Sequence, residues 1–307
     1  PPRHYQPHVT FHEGELLVQD RAGVRGEARR VGQMLRVVIR PDARPWLAER
    51  PFVVLAAEAA SGAVWVSILA GPPGLARSSE DGTQLDVSIR PAPGDPIAGL
   101  VSTGTSVGVL AIDFAARRRY RVNGTVRSDG TGISLDVREA FGNCPKYIHA
   151  YTPLPDGPLS PEPPRTSDRL NDHQRRWIEQ AETLFIGTTH PDAGADASHR
   201  GGAPGFVRVT GPRQLVWGDY SGNRLFQSLG NTAVHPPAGL LFLDPETGST
   251  LQLTGTLEID WSPEAAATIP GAERVLRFSI EQIVERPGAI PLRWSRGQAS
   301  PFNPPAR

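Results

Sequence analysis

Two polar clusters in the second half of the chain hold most of the residues able to do chemistry. The first runs Asp196-Ala-Ser198-His199-Arg200-Gly201-Gly202-Ala-Pro204-Gly205-Phe206-Val207-Arg208. Its glycines allow a ligand to approach the backbone closely, and its serine and arginines suit a phosphate group. The second runs Trp217-Gly-Asp219-Tyr220-Ser221-Gly222-Asn223-Arg224-Leu225-Phe226-Gln227-Ser228-Leu229-Gly230-Asn231. It sets an arginine, serines and two asparagines around glycines, ahead of a helix-like piece starting near Asn223. An anion at a helix N-terminus with an arginine beside it is favoured by the aligned backbone N–H groups and by the added charge. No side chain stands out as the acid or base that would fix a substrate, so the chemistry these residues suit is holding a phosphate-bearing ligand.

Other patterns carry less. Gly104-Thr-Ser106-Val-Gly108 matches the hydrolase nucleophile spacing, but that chemistry needs a strand, a sharp turn and a helix, whereas Val109–Phe114 reads as a strand. His4, His8 and His12 are spaced for one helix face as metal ligands, yet Pro1, Pro2 and Pro7 oppose a regular helix, and a flexible arm is the expectation. Arg117-Arg118-Arg119-Tyr120-Arg121 reads as a solvated hairpin tip. Asn123-Gly-Thr125 fits a glycosylation acceptor, with nothing to suggest secretion. Cys144 would be redox-active if exposed beside Lys146; otherwise it is a packed thiol.

The elements that must position these residues come in two copies. An offset of about 131 residues sets Trp46 on Trp177, Ser67 on Ser198, and Gly71, Pro73, Gly74 and Arg77 on Gly202, Pro204, Gly205 and Arg208. It also sets Gly108, Leu110 and Asp113 on Gly239, Leu241 and Asp244, and holds without a net gap to about Val126. A Pro-dense segment, Thr152 to Pro164, separates the copies and excludes helix and central strand alike. In the second copy a helix capped by Ser167 or Asp168 presents Leu170, Trp177, Ile178 and Ala181. Strands are then expected at Leu184–Thr189, Phe206–Val209, Gln214–Trp217, Gly239–Leu243, Leu251–Ile259 and Arg274–Ile283. Short strands with one early helix predict a small antiparallel barrel in each copy. The division expected is an arm and helix over 1–45, a first barrel over 46–150, a linker over 151–168 and a second barrel over 169–307. The first copy has Asp86 to Pro96 where the second has its Asn223-Arg224 stretch, and lacks counterparts of both residues. That asymmetry assigns a ligand role to the second copy.

Composition narrows the class. The chain has 307 residues with Lys+Arg 32 and Asp+Glu 32, a balance unlike that of a protein that neutralises nucleic-acid phosphates. No apolar run approaches the roughly 20 residues that span a bilayer. With no secretory leader and one cysteine, a cytoplasmic protein is expected. Gly 32 and Pro 31 favour turns and short strands over long helices. Lys146 is the sole lysine.

Taken together, Phe185–Thr189, the 198–209 run, Asp219-Tyr220-x-Gly-Asn223-Arg224, Ser228-Leu-Gly-Asn231 and Gly239–Asp244 resemble the pyridoxamine 5′-phosphate oxidase-related, flavin-nucleotide-binding family. Phe141-Gly-Asn143-Cys144-Pro145-Lys146-Tyr147-Ile148 and His12-Glu13-Gly14-Glu15 resemble signatures of its two-barrel branch. The resemblance implies two tandem split β-barrels with a few short helices and FMN at the barrel–barrel interface. It makes Arg224 and Ser228 phosphate ligands, and makes Ser198, His199 and Arg200 phosphate or ring contacts. Val207, Arg208 and Val209 become the strand beside the isoalloxazine, and Asn143 and Lys146 reach across from the first barrel. Gly201, Phe206, Asp219, Tyr220 and Asn231 complete the cofactor site. It implies an FMN-dependent oxidoreductase acting on a small organic molecule, with NAD(P)H or the substrate as reductant and a homodimer as the assembly. A non-catalytic flavin or haem binder and a deazaflavin-dependent reductase are the alternatives. The substrate-phosphate motif expected near the C-terminus of true pyridoxamine phosphate oxidases is absent; Pro291-Leu-Arg293-Trp294 only echoes it.

Overall fold

The computed structural model describes residues 10–128, 130–159 and 161–304, which leaves His4 and His8 outside the described residues. Three short helices open the chain: α1 (Glu13–Arg21), α2 (Arg25–Gly32) and α3 (Arg44–Ala48). Seven strands follow: β1 (Phe52–Glu58), β2 (Val64–Ala70), β3 (Ala76–Ser78), β4 (Gln84–Val87), β5 (Ser106–Asp113), β6 (Arg118–Ser128) and β7 (Ile133–Gly142). They form one antiparallel sheet in the order β2-β1-β5-β6-β7-β4-β3. Beyond β8 (Tyr151–Leu154), β9 (Arg165–Ser167) and α4 (Asp172–Gln180) the pattern repeats. The strands of the second half are β10 (Thr183–His190), β11 (Gly194–Gly201), β12 (Val207–Gly211) and β13 (Gln214–Asp219), then, after α5 (Gln227–Val234), β14 (Pro237–Leu243) and β15 (Thr250–Asp260). Helix α6 (Pro263–Ala267) precedes β16 (Arg274–Arg286), and β17 (Arg293–Arg296) closes the chain by pairing with β8.

The second sheet runs β11-β10-β14-β15-β16-β13-β12, the same order as the first. The duplication read from the sequence is therefore a duplication of topology, and the protein is mainly β, as two tandem split barrels require. The single offset fails after β6 because the second copy inserts α6 before its last long strand.

The linker prolines occupy positions that tolerate them. Pro153 lies in the two-stranded β8–β17 ribbon, where a missing N–H interrupts no interior ladder. Helix α4 starts later than expected: its N-cap is Asn171, whose side chain accepts the Gln174 N–H while Gln174 reciprocates, a capping box that neither Ser167 nor Asp168 could close. Strand β11 is the larger departure. The Gly-rich polar stretch from Asp196 to Gly201 is a strand, buried at all but one of those positions.

Strand β1 shows how the halves meet. Val53, Leu55 and Ala57 enter the core of the first barrel, while Phe52, Val54 and Ala56 enter a core shared with Phe185, Ala197, Leu241 and Trp294 of the second half. Strands buried on both faces read as continuous apolar runs. Ala56 stands against Gly187, its own counterpart in the repeat, where an added Cβ would come 2.6 Å from the Ala56 Cβ. Gly108 on β5 and its counterpart Gly239 on β14 let the sheets close: a Cβ on the first would lie 2.5 Å from Ala197 N, and on the second 2.6 Å from Val64 O. The halves thus meet as a pseudo-dimer, with two equivalent clefts where each long central strand faces the other half.

Candidate functional site

In one of these clefts β6 of the first barrel faces β11 of the second. Tyr120 and Val122 point into the first barrel's core. Alternation turns Arg119, Arg121 and Asn123 the other way, toward β11. The run expected to be a solvated hairpin tip is thus partly an interface strand. Arg121, which is 6% exposed, donates to Asp196 Oδ1 at 2.9 Å, to Ser198 Oγ at 2.6 Å and to Gln227 Oε1 at 3.1 Å. Ser228 donates to Asp196 Oδ2 at 2.9 Å. Asp196 is therefore neutralised by Arg121 and carries no charge to spare.

Arg119 and Arg200 are different. Arg119 donates to the Cys144 carbonyl, to the His199 carbonyl and to His199 Nδ1; Arg200 donates to Ser198 Oγ and the His199 carbonyl. Neither forms an ion pair with a carboxylate among the described residues. Burial, with Arg121 and Arg200 nearby, pulls the Arg119 guanidinium down to about 9. Burial also lowers Arg200, against the opposing pull of Asp219 and Asp196. His199 is buried and pushed well below its ordinary value, first by desolvation and then by the arginines. A guanidinium can only donate, so Nδ1 of His199 must accept. The imidazole is neutral, with its proton on Nε2 toward Thr183 Oγ1 at 3.5 Å.

These groups line a cavity of about 80 Å³ together with Asn143, Tyr147, Gly201, Phe206, Trp217, Asp219, Tyr220, Asn223, Arg224 and Ser228. Asn143 Oδ1 and Trp217 Nε1 are buried without hydrogen-bond partners. Helix α5 begins at the cavity wall with no side chain capping it; Arg224 and Phe226, at φ 65° and 62°, take left-handed conformations that turn the chain into it. Such backbone costs of order 1–3 kcal/mol per residue and persists where its surroundings enforce it. The helix starts at Gln227, not near Asn223.

The sequence-expected residues distribute unevenly. Asn143, His199, Arg200, Gly201, Phe206, Asp219, Tyr220, Asn223, Arg224 and Ser228 share the cavity. Ser198 lies behind it, pinning Arg121 and Arg200. Val207 and Val209 are in the second barrel's core, and the Arg208 guanidinium donates to the Thr268 carbonyl. Arg224 lines the wall, but its guanidinium is engaged bidentately by Glu273 at 2.7 and 2.8 Å. Lys146 is not among the lining residues: its ammonium stands 5.7 Å from the centre of the Phe302 ring. Asn231 lines a neighbouring cavity and donates to Thr188 Oγ1. Arg119, Arg121, Tyr147, Trp217 and Gln227 are among the cavity residues that sequence reading did not assign to the site. Ser106 begins a strand and accepts the Ala195 N–H, so no nucleophile elbow exists there.

No family model matches the chain, and no curated protein matches it. Among solved structures, HupZ of Group A Streptococcus is 13% identical over 38% of this chain and 98% of its own, with a TM-score of 0.32. A protein from Lactobacillus delbrueckii, provisionally described as a pyridoxamine 5′-phosphate oxidase, is 15% identical over 38% of this chain and 94% of its own, TM-score 0.32. HutZ of Vibrio cholerae, a haem storage protein, is 11% identical over 38% and 95%, TM-score 0.29. The solved structures similar to this chain thus include pyridoxamine phosphate oxidase-type and haem-storage proteins, each matching a stretch about one repeat long. The fold stands here on the strand order.

Proposed function

We propose that the chain binds a flavin nucleotide, FMN, in the cleft between its two barrels and serves as a flavin-dependent oxidoreductase on a small organic molecule. The observation that carries this reading is the surplus of half-buried positive charge: Arg119 and Arg200 share a cavity, have no carboxylate of their own, and lie beside an uncapped helix start. Unneutralised guanidinium groups in a low-dielectric site call for an anion, and arginine suits a phosphate in particular. The enclosed volume of about 80 Å³ suits a phosphate-sized group; ligand sites for larger molecules run to roughly 300 Å³ and above. Binding a whole nucleotide therefore requires wall side chains such as Tyr147 and Tyr220 to move.

When bound, the flavin supplies hydride chemistry. The chain's own residues do the rest. Arg119 and Arg200 bind the phosphate, and Ser198 fixes Arg200 in place. Neutral His199, its proton held on Nε2, offers no second positive charge at Nδ1. Asn143 Oδ1 can accept from the ligand, and Trp217 Nε1 can donate to it. Tyr147, Tyr220 and Phe206 exclude water from the cleft.

An absorption spectrum of the purified chain, incubated with FMN, desalted, then treated anaerobically with NADPH, tests the reading. Retained flavin bands that bleach on reduction support cofactor and reductant together. Retained bands that persist support the cofactor and direct the search to other donors. No retained flavin contradicts the reading, and an intense haem band in the protein as purified would replace it.

A further inference from the structure

Beside the arginine-lined cavity, across Gln227, lies a second cavity of about 280 Å³ into which Glu15, Glu139 and Asp196 bring carboxyl groups. Helix α1 builds one wall. It crosses α5 at a contact only glycines permit: a Cβ on Gly14 would lie 2.1 Å from Gly230 O, and one on Gly230 would lie 2.6 Å from Glu15 N. That crossing sets Glu15, 5% exposed, into the cavity, where it accepts the His12 N–H at 2.9 Å. Strand β7 contributes Glu139, 7% exposed, whose oxygens accept from Gln227 Nε2 at 2.9 Å and Asn123 Nδ2 at 3.2 Å. Strand β11 contributes Asp196, and β6 contributes Asn123. Asn123 is 2% exposed, and its Oδ1 has no hydrogen-bond partner.

The charges facing this cavity can be counted. Glu15, Glu139 and Asp196 are acidic; Arg121 pairs with Asp196, and Arg138 stands at the exposed rim. His12 is held down to about 4, mainly by burial, and is neutral. Three carboxyl groups against two guanidinium groups leave one carboxyl without a cationic partner, along with one unpartnered carbonyl acceptor. Among the described residues the three carboxylates do not converge within 4.8 Å, as ligands to one metal ion would. His12, Glu13 and His190 do converge, but both imidazoles accept backbone N–H bonds at Nδ1, which leaves Nε2 protonated and without a lone pair for a metal.

We propose that this cavity binds a small organic monocation, a protonated amine or a guanidinium group, between Glu15 and Glu139 with Asn123 Oδ1 as a further acceptor. Spread acceptors around a carboxyl group that lacks a cationic partner fit a cation that donates several N–H bonds in different directions. Burial and mutual repulsion raise Glu15 to about 8 and Glu139 to about 7, so a bound cation restores their ionisation and releases protons. The proposal is independent of what occupies the arginine-lined cavity.

Calorimetric titration of the full chain near pH 7, without added flavin, with methylguanidinium and with its neutral isostere N-methylurea, tests it. Methylguanidinium is expected to bind at least about tenfold more tightly than N-methylurea, since charged hydrogen bonds exceed neutral ones by that order. Its binding should release protons, read as a heat that changes with buffer ionisation enthalpy. Glu139→Gln should weaken it at least about tenfold; should that variant not fold, Glu15→Gln removes the same charge from a different element. Equal responses to the two probes, or binding unchanged in a folded variant, would overturn the proposal.

Discussion

The two clefts of the pseudo-dimer are equivalent in strand order and differ in the side chains that line them. In the first, Arg119 and Arg121 face Ser198, His199 and Arg200. In the second, their counterparts by the 131-residue offset are Thr250 and Gln252, on a strand that meets the one carrying Ser67, Ile68 and Leu69, the last packed in the first barrel's core. Ser67 and Ser198 alone are alike. Arg224 and Ser228 correspond to Pro93 and Ile97. The second cleft also carries its own anion: the buried Asp95 carboxylate accepts from Ser67 Oγ, from Gln252 Nε2 at 3.3 Å, from Ile97 N at 3.0 Å and from Arg286. One cleft holds unmatched guanidinium groups; the other is closed by an internal ion pair. Matching folds fix where a site can be, and the side chains of a few strand positions decide whether it is one.

The largest way to break this comparison is to remove the unmatched charge. Arg119→Gln with Arg200→Gln should reduce FMN affinity about a thousandfold, each charged hydrogen-bonding partner contributing roughly 1.5–3 kcal/mol. Thr250→Ala, at the position of Arg119 in the other cleft, should leave affinity within about twofold; fluorescence titration of FMN reads both. Next in size, Arg121→Ala leaves Asp196 buried without its partner and should cost about 3–5 kcal/mol in urea unfolding. Its counterpart Gln252→Ala removes one bond to a backbone carbonyl and a long one to the Asp95 carboxylate, which keeps Arg286, and should cost about 2 kcal/mol.

A smaller effect sharpens the contrast through pH. Glu15 and Glu139 are raised in the folded chain, so they favour folding at low pH, and that contribution is lost as pH rises through about 7 to 8. His12 and His199 are lowered, so their contribution is full above the ordinary histidine value and is lost as pH falls below it. Between the unperturbed carboxylate and histidine values the two effects oppose. Above about 6.5 only the carboxylates act. The melting temperature should therefore fall from pH 6.5 to 8. Glu139→Gln should flatten that limb, and a limb of unchanged slope would dissociate it from this cavity. The smallest effect concerns Lys146. The family resemblance expects Lys146→Gln to lose FMN, whereas its place over Phe302 predicts a change of less than about twofold, cation–π contacts at exposed sites being weak.

The sequence made the duplication legible because strands β1 to β6 align with β10 to β15 without a gap, and glycines at the sheet contacts recur at Gly108 and Gly239. It also made half of the candidate site legible, since Asn223 and Arg224 follow Gly222 in a turn and Ser228 lies in the first turn of the helix behind it. The other half comes from a strand about 80 residues earlier, as the Arg119–His199 contact shows. Only the docking of the barrels brings that strand near. A signal was present: in Arg119-Tyr120-Arg121-Val122-Asn123 polar and apolar residues alternate with a period of two, the mark of a strand with one face in a core. Strand β11 was obscured for the converse reason. Asp196, Ser198 and His199 are polar yet buried, because Arg119 and Arg121 of the other half satisfy them. Local propensity cannot express that dependence.

The central claim is that one cleft, and not its twin, holds a phosphate-bearing flavin. Calorimetric titration of the full chain with FMN and, separately, with riboflavin tests it most directly. The account predicts one FMN per chain and riboflavin at least about a hundredfold weaker, the loss of two charged contacts to the phosphate. Two FMN per chain, or riboflavin bound as tightly as FMN, would contradict it.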